Sequence, residues 1–545
     1  MVAAQTGHSR KTLGMSISAQ ILVCHARFIE EWIANNNEMN FMKKKNILVI
    51  TVILLTFTGN AFTQAASREK PIRQAQDRPN IVFLMTDDQR WDTLGCYGRP
   101  EFQTTNIDQL AEQGVIFDNA YQAVAICAPS RATIMTGRYF ANHKAGFTYP
   151  FDVKLTPEDF DDTYPARLKQ AGYRTGFVGK FNIYTQGVKP EDYFDYYAVG
   201  GKMLPKDDAA LRHIFRGDRD PKERTIKKGD ALIHFLDTQP KGQPFCISVS
   251  FDAVKNDKDK DMYGPHTEIF KDQVFSVPAN WVEGENASLP DVVKNNARGY
   301  WLHKARTSTP ELYQTLARRF ATQGYTVDQE VGRLMEKLKE MGVLDNTIVI
   351  YTSDNGRFHG SQGLFDKCIL YEEAVKQPLI IFDGRVPKEK RGRREAAMIS
   401  STDMAPTILS LANVEVPQRM QGRELTSILN QTQDMSVWRD AVFMENLFLQ
   451  DMFTARIKKV ENLDEANQQL IAENKSYRSR GVRTERFKYF IYNEHDPVIE
   501  ELYDLENDPY EQNDLVSNPE YAEILSKLRK QTEDFHARAV ANQQL

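Results

Sequence analysis

Short apolar runs that end in polar or charged residues constrain the fold of this chain most. Each run is seven or eight residues long and apolar at most positions, which is typical of strands buried on both faces of a parallel sheet. Helical patterns separate several of the runs, so the chain is predicted to adopt an α/β fold. Ligands of such folds bind outside the carboxyl ends of the strands. The runs are residues 79–86, 173–180, 245–251 and 346–352, and the polar residues at or just after their ends are Asp87, Asp88, Lys180, Lys255, Asp354 and Asn355.

The length of 545 residues predicts more than one structural unit. We expect a large, mixed and mostly parallel sheet sandwiched by helices over residues 78–430, followed by a smaller C-terminal α+β subdomain over residues 437–545. Apolar residues recur at helical spacing from Val327 to Met341, which indicates a core helix. Residues 186–310 show little periodicity and are interpreted as insertions that shape a substrate cleft.

The N-terminal part of the chain has the pattern of a secretory signal. Lysines at 43–45 precede an apolar run over residues 46–57 and a zone of small residues that ends at Ala66. This order predicts a signal peptide over residues 42–65. The apolar run is too short to anchor the chain in a bilayer, and no cysteine stands at the expected cleavage site. We therefore expect a periplasmic or secreted protein without a stable membrane anchor, and we interpret residues 1–41 as an upstream-start artefact.

Composition excludes several classes of function. The net charge of -5 gives no sign of a nucleic-acid-binding surface. The basic run at residues 388–394 is interpreted as a solvated loop, with binding of a polyanion as the alternative. The five cysteines show neither metal-type CxxC spacing nor a dense disulfide framework. Pairing among Cys96, Cys246 and Cys368 is left open.

The most specific motif is residues 127–138, CAPSRATIMTGR. Proline is well tolerated in a first helical turn, so a helix that begins at Pro129 would place Arg131 about one turn after Cys127. A potential nucleophile and a fixed cation then lie close together, as the attack on an anionic ester requires. The alternative for Cys127 is an inert buried cysteine beside a helix start.

This motif closely resembles the signature of the type I sulfatases, members of the alkaline-phosphatase-like superfamily, and the resemblance extends in order from Asn80 to residues 502–505. In that family the cysteine is oxidised to formylglycine, whose hydrate attacks sulfate esters. The resemblance implies a sulfuric ester hydrolase, a formylglycine-generating maturation enzyme as a partner, and one divalent cation, usually Ca²⁺. Three carboxylates suit such a hard cation on independent grounds. The implied metal ligands are Asp87, Asp88, Asp354, Asn355 and Cys127.

The resemblance also implies that Arg131, Lys180 and Lys367 hold the sulfuryl oxygens. Two departures concern proton transfer and substrate binding. Asn182 stands where the family often has a histidine, and an amide cannot take a proton at neutral pH. Lys255 stands where many members have the histidine that protonates the leaving group, and it could serve if its pKa were lowered. His266 and His359 are the alternatives, and together with Asn182 they are predicted to contact the substrate.

The leading hypothesis is hydrolysis of sulfate esters on a sulfated polysaccharide or oligosaccharide. The carbohydrate part rests on the secretion signal and on the resemblance to bacterial sulfatases that degrade polysaccharides. The alternatives are a phosphoester hydrolase of the same superfamily and a non-catalytic protein that binds sulfated glycans, the latter because of Asn182 and Lys255.

Overall fold

The computed structural model describes residues 78–146, 154–215, 224–255, 266–446, 472 and 476–545. The predicted signal peptide at 42–65 and the segment 1–41 lie outside the described residues. Among the helices in the described part of the chain, none has both the length and the apolar character needed to cross a membrane.

Within the described residues, nine strands form one mixed sheet in the order β5-β4-β3-β6-β1-β7-β8-β2-β9. The five strands from β4 to β7 in this order are parallel, whereas β5 and β8 run antiparallel to their neighbours. This architecture confirms the predicted fold class. The strands are β1 (Asn80–Asp87), β2 (Val115–Tyr121), β3 (Arg174–Gly179), β4 (Tyr196–Val199), β5 (Lys202–Leu204), β6 (Phe245–Val254), β7 (Thr347–Ser353), β8 (Leu379–Asp383) and β9 (Arg393–Ser400).

Both faces of the large sheet are covered by helices. Successive residues of β1 alternate between two hydrophobic clusters, with Phe83 in one and Leu84 in the other, because side chains of a strand point to opposite faces. A strand buried on both faces can be apolar at every position, which explains the continuous runs in the sequence. The helices of this part are α1 (Thr105–Glu112), α2 (Cys127–Thr136), α3 (Phe140–His143), α4 (Pro157–Asp161), α5 (Tyr164–Gln170), α6 (Ala209–Ile214), α7 (Arg224–Asp237), α8 (Asp291–Asn296), α9 (Arg298–Arg306), α10 (Pro310–Glu340), α11 (Glu372–Val375), α12 (Met404–Leu411) and α13 (Thr426–Leu429).

Three expectations about local structure were wrong or incomplete. The helix expected to begin at Pro129 begins two residues earlier, at Cys127. Residues 186–310 are not all insertions, because β4 and α7, like the predicted strand β6 in the same stretch, belong to the sheet and its packed core. The basic run at 388–394 is a loop only in part, since Arg393 and Arg394 already belong to β9.

Residues after 437 form a second, antiparallel sheet. Its strands are β10 (Ala441–Asn446), β11 (Ser479–Thr484), β12 (Phe487–Tyr492) and β13 (Ile499–Asp504), in that spatial order, and α14 (Ala522–Val540) packs against it. The fold thus contains the smaller C-terminal α+β part that we predicted.

The buried Glu501 links the second sheet to the main part of the chain. Its carboxylate accepts hydrogen bonds from Tyr371 at 2.6 Å, from Tyr492 at 2.7 Å and from Tyr503. Burial raises the pKa of Glu501 to about 7, although the three tyrosine donors act in the opposite direction. A glutamate in the unfolded chain has a pKa of about 4.3, so the folded state binds the proton more tightly.

We predict that Glu501→Gln changes the pH dependence of stability. The stabilising effect of the raised pKa is complete below about pH 4 and is lost as the pH rises through about 7. Between pH 5 and pH 8 the wild type should therefore lose up to about 3 kcal/mol of unfolding free energy relative to the variant, which cannot titrate there. Urea unfolding at several pH values measures this difference. The control is Glu500→Gln. In the wild type, a hydrogen bond from Arg529 lowers the pKa of Glu500, so replacing Glu500 should not change how stability depends on pH between pH 5 and pH 8. Parallel profiles for Glu501→Gln and the wild type would contradict the prediction.

Candidate active site

Four neighbouring parallel strands deliver polar side chains to one edge of the large sheet. In the order β3-β6-β1-β7, Lys180 follows β3, Lys255 follows β6, Asp87 ends β1, and Asp354 follows β7. Because the carboxyl ends of parallel strands meet at the same edge, these groups gather without any long loop. The structure thus brings together residues that are far apart in the sequence, as the hydrogen bond between Asn355 and Asp88, 267 positions apart, shows.

Cys127 opens helix α2, and every residue of this helix is buried. Pro129 lies in the first turn, where backbone N–H groups have no partner within the helix, so it does not disrupt the hydrogen bonding. Gly137, with a φ of 65°, ends the helix. The Sγ atom of Cys127 lies 3.2 Å from Asp87 Oδ1 and 2.8 Å from Lys367 Nζ. The cysteine is therefore held among charged groups and not in an apolar core.

Ligand atoms of Asp87, Asp88, Asp354 and Cys127 all lie within 4.8 Å of one another. The amide of Asn355 adjoins this group, since its Nδ2 donates to Asp88 Oδ1 at 2.7 Å. Carboxylate and amide oxygens at this spacing fit a hard divalent cation such as Ca²⁺. Four of the five residues named from the sequence as metal ligands thus form one group that could hold an ion, and the fifth, Asn355, adjoins it.

Five cationic side chains surround these three carboxylates. Lys180 Nζ lies 2.5 Å from Asp87 Oδ2, and Lys255 Nζ lies 3.6 Å from Asp88 Oδ2. Lys367 donates to Asp88 Oδ1 and also lies 3.2 Å from Asn355 Oδ1. The remaining two cations are Arg131 and Arg357.

Arg131 uses its donors within the protein. Nε and Nη2 donate to Asp354 Oδ2 at 3.0 and 2.8 Å, and Nη1 donates to the carbonyl of Lys180 at 2.7 Å and to Ser250. One guanidinium therefore ties α2 to the ends of β3, β6 and β7. This fork geometry is one that arginine provides and lysine does not.

Arg357 was missed from the sequence. Its Nη1 lies 3.1 Å from Asp88 Oδ2, and its guanidinium lies over the ring of Phe365. In the sequence, only its position two residues after Asn355 pointed to a role in the site. That position was weak evidence, because an arginine that follows a strand is usually exposed.

The electrostatic environment keeps the first two carboxylates ionised. Burial and Asp88 raise the pKa of Asp87, but Lys180, Lys255 and Lys367 outweigh them and lower it to about 2. The pKa of Asp88 lies well below its usual value, since Lys255, Lys367 and Arg357 overcome the effect of burial. Burial, assisted by Asp87, raises the pKa of Asp354. Burial and Asp87 also raise the pKa of the Cys127 thiol to about 11, so the unmodified cysteine is a poor nucleophile at neutral pH.

The three predicted proton donors, Lys255, His359 and His266, are not equally close to Cys127 and the three carboxylates. We expected Lys255 to need a lowered pKa, whereas Asp88 raises its pKa. His359 is buried with its ring 3.9 Å from that of Phe320, and burial lowers its pKa. The ring of His266 packs against Tyr325 at 5.1 Å. Within the described residues, no hydrogen bond or ion pair joins either histidine to Cys127 or to the three carboxylates.

Asn182 lies at the edge of the site. It has a φ of 45° and, together with Lys180, lines a cleft of about 350 Å³. The described cysteines other than Cys127, namely Cys96, Cys246 and Cys368, are free thiols, so the pairing left open from the sequence is not present among them.

Comparison with known proteins agrees with this geometry. The family model described as Sulfatase matches residues 79–414, and the model described as N-sulphoglucosamine sulphohydrolase, C-terminal, matches residues 467–538. The chain belongs to the sulfatase family. The resemblance drawn from residues 127–138 is confirmed, and this sulfatase is a sulfuric ester hydrolase.

Individual relatives cover most of this sulfatase. It is 30% identical over 540 residues to the N-acetylglucosamine-6-O-sulfatase of Bacteroides thetaiotaomicron, with 86% of this chain and 89% of that protein covered. It is 26% identical over 525 residues to an ulvan-active sulfatase of Formosa agariphila, with 90% and 87% covered. A solved structure of a protein in complex with its substrate D-glucosamine-2-N,6-O-disulfate shares 27% identity and a TM-score of 0.63, covering 85% of this chain and 99% of that one.

A glycine before Lys180 allows the close approach of β3 to β6. Gly179 has a φ of 97°, and a Cβ atom there would lie 2.0 Å from the carbonyl oxygen of Ser250. The next residue, Lys180, donates its backbone N–H to that same oxygen at 2.9 Å. Any side chain at position 179 would therefore push the backbone of Lys180 away from the site.

We predict that Gly179→Ala destabilises the sulfatase by about 3 kcal/mol or more, because it adds a backbone clash to the strain of a positive φ. The matched control is Gly172→Ala, which also has a positive φ of 89° but no atom within 4 Å of the added Cβ. The control should cost only about 1 kcal/mol. Urea unfolding of both variants measures the difference, and equal losses would contradict it.

Proposed function

We propose that this sulfatase removes sulfate from a sulfated polysaccharide or oligosaccharide, using a formylglycine made from Cys127 and one bound divalent cation, for which Ca²⁺ is expected. The observation that carries the proposal is the meeting of Cys127 Sγ, three carboxylates and Lys367 within a few ångströms. A buried site with this many cations suits an anionic ester.

The carbohydrate substrate is supported by the relatives. One is named for N-acetylglucosamine 6-sulfate esters, one for ulvan, and a structural neighbour holds a disulfated glucosamine. None of these three proteins is named as a phosphoester hydrolase or as a non-catalytic glycan-binding protein, the two alternatives from the sequence.

The chemistry divides between the bound groups and the side chains of the chain. A hydrated formylglycine supplies a nucleophilic hydroxyl and a second hydroxyl through which the aldehyde is restored, while a divalent cation lowers the pKa of such a hydroxyl and neutralises the substrate. Asp87, Asp88, Asp354 and Asn355 would hold the cation. Arg131 orients Asp354 through two hydrogen bonds to the same oxygen.

The three lysines differ in depth, which suggests different roles. The side chain of Lys367 is 6% exposed, that of Lys180 19% and that of Lys255 31%. Lys367 and Lys180 would hold sulfuryl oxygens near Cys127. Lys255 Nζ, 3.9 Å from Cys127 Sγ and the most exposed of the three, is the proposed donor of a proton to the leaving oxygen. Asp88 raises the pKa of Lys255, so this role requires that a cation bound at Asp88 offset that effect. Asn182, and from further away His359 and His266, would contact the sugar.

The cellular setting follows from the sequence pattern. We propose a signal peptide over residues 42–65, a periplasmic or secreted location, and activation by a formylglycine-generating enzyme. The catalytic domain would span residues 78–430 and the C-terminal subdomain residues 437–545. Nucleic acid is not an expected partner.

We predict that Cys127→Ala abolishes release of sulfate from nitrophenyl sulfate and from sulfated glycans, because no nucleophile remains. Cys246→Ala, which alters a buried free thiol in the core, is the matched control and should keep activity. Ion chromatography of released sulfate measures both variants. Mass spectrometry of the wild-type peptide across residue 127 should show an aldehyde in place of the thiol. Faster turnover of nitrophenyl phosphate than of nitrophenyl sulfate would overturn the proposed substrate class.

We also predict that Ca²⁺ stabilises the fold through the carboxylate group. A ligand that binds only the native state raises the unfolding midpoint, and at a concentration of about one hundred times its Kd it adds about 2.7 kcal/mol. Calcium should raise the midpoint of the chelator-treated wild type by about 2 °C or more. Asp354→Asn should lose this shift. The control Asp366→Asn should retain it, because Asp366 precedes Lys367 but is not one of the grouped ligands. Differential scanning calorimetry checks this, and an equal shift in both variants would contradict the assignment.

A further inference from the structure

A charged cleft lies beside the catalytic group, and two of its lining residues, Lys228 and Asp252, have no part in the mechanism above. Its volume is about 350 Å³, and the charged and amide side chains that line it are Lys180, Asn182, Arg224, Lys228 and Asp252, next to Gly200 and Gly201 in the turn between β4 and β5. Lys180 connects the two places, since its ammonium contacts Asp87 and the residue also lines the cleft. A substrate whose sulfate lies near Cys127 would extend into or past this space.

An ion pair between a buried lysine and a partly exposed aspartate forms the floor of the cleft. The side chain of Lys228, from α7, is 8% exposed and its ammonium donates to Asp252 Oδ2. The stem of Lys228 packs against Gly179: its Cε atom lies 2.8 Å from the position that a Cβ atom at residue 179 would occupy. Lys228 is therefore held in place by packing and fixes the direction of the Asp252 carboxylate.

Asp252 presents its second oxygen to the cleft. The Asp252 side chain is 41% exposed, and within the described residues its Oδ1 has no hydrogen-bond partner. Lys228 keeps the carboxylate ionised, because it lowers the pKa of Asp252 against the effect of burial. The side-chain amide of Asn182 likewise makes no hydrogen bond to another described residue. The cleft thus offers one fixed acceptor and one amide that can both donate and accept.

We propose that this cleft binds hydroxyl groups of the sugar that carries the sulfate, with Asp252 as the acceptor and Asn182 as its partner. The inference rests on the proposed function. Lys228 pairs with Asp252, while Lys180 and Arg224 add positive charge elsewhere in the lining, so Asp252 is the carboxylate acceptor within a cleft that is otherwise cationic. An ionised carboxylate accepts hydrogen bonds from hydroxyl groups and repels sulfate oxygens. Asp252 therefore favours a sugar with free hydroxyls at this position.

The open turn at residues 199–201 leaves room for a ring. Gly200 and Gly201 have no atom within 4 Å of an added Cβ, and both have positive φ values, as a tight hairpin turn requires. At these two positions the lining of the cleft carries no side chain. A pyranose ring that enters the cleft would therefore meet only backbone at Gly200 and Gly201.

The test compares Asp252→Asn with Asp230→Asn in the modified enzyme. Asp230 lies on the same helix as Lys228, has a similar exposure of 40%, and pairs with Arg333 away from the cleft. We measure kcat/KM for the sulfated monosaccharide that the wild type hydrolyses fastest and for nitrophenyl sulfate, which has no sugar. In Asp252→Asn, kcat/KM for the monosaccharide divided by kcat/KM for nitrophenyl sulfate should fall about tenfold or more. A site built to bind a hydroxyl discriminates between substrates through that contact. In Asp230→Asn the ratio should not change.

Asp252→Asn leaves Lys228 buried without its partner and could unfold the protein. The double variant Lys228→Gln/Asp252→Asn avoids this and should show the same fall in the ratio. A binding measurement adds a readout that does not depend on turnover. In a Cys127→Ala background, calorimetry with the same monosaccharide should give a Kd about tenfold higher when Asp252 is changed to Asn.

The outcomes separate the cleft from the proposed function. If the wild type releases sulfate from no sugar, the proposed function fails. If it does release sulfate but Asp252→Asn lowers kcat/KM equally for both substrates, or for neither, the cleft inference alone is overturned. A further outcome would also overturn the cleft inference. If both the wild type and Asp252→Asn bound a disulfated sugar more tightly than a monosulfated sugar, the cleft would select anions.

Discussion

The burial of three carboxylates within a few ångströms of one another is the constraint on which the rest of this structure depends. Asp87, Asp88 and Asp354 are almost completely inaccessible to solvent, and each buried charge costs several kcal/mol unless it is paired. The fold satisfies this requirement with cations from four separate segments of chain. The site is therefore stable only when α2, the ends of β3 and β6, and the loop after β7 are all in place.

This requirement explains why the cations around Cys127 are not freely mobile groups. Arg131 contacts Asp354, the carbonyl of Lys180 and Ser250 at once, so a shift of any one strand would disturb the others. Lys367 contacts Asp88, Asn355 and Cys127. Side chains fixed in this way lose little entropy when an anionic substrate binds, which is the condition for electrostatic stabilisation of a transition state. The rigidity that stabilises the carboxylates thus also prepares the site for its substrate.

The parts of the site that could be predicted are those that the strand pattern marks. A strand buried on both faces is apolar throughout, so the polar residue at its end, such as Asp87 or Asp354, is visible in the sequence. Contacts that depend on tertiary packing leave no comparable pattern in the sequence. Arg357 reaches Asp88 across 269 positions. Lys228 lies within the residues 186–310 that were interpreted as insertions, although its stem is buried against Gly179. The pairing of Lys228 with Asp252 depends on how α7 packs on the sheet, which no local pattern specifies.

The second sheet supports the loop that carries Lys367. This loop, residues 354–377, contributes Tyr371 to the hydrogen bonds around Glu501 and Glu372 to an ion pair with Lys488 at 3.2 Å. Glu511 accepts the backbone N–H of Glu372 at 2.7 Å, and its own carbonyl accepts from Gln362 at 3.2 Å. Without the second sheet, these buried polar groups would lose their partners, and unpaired buried groups are strongly unfavourable. Since Lys367 lies between Gln362 and Tyr371, its position beside Cys127 depends on both sheets, and the C-terminal part is a structural component of the active site.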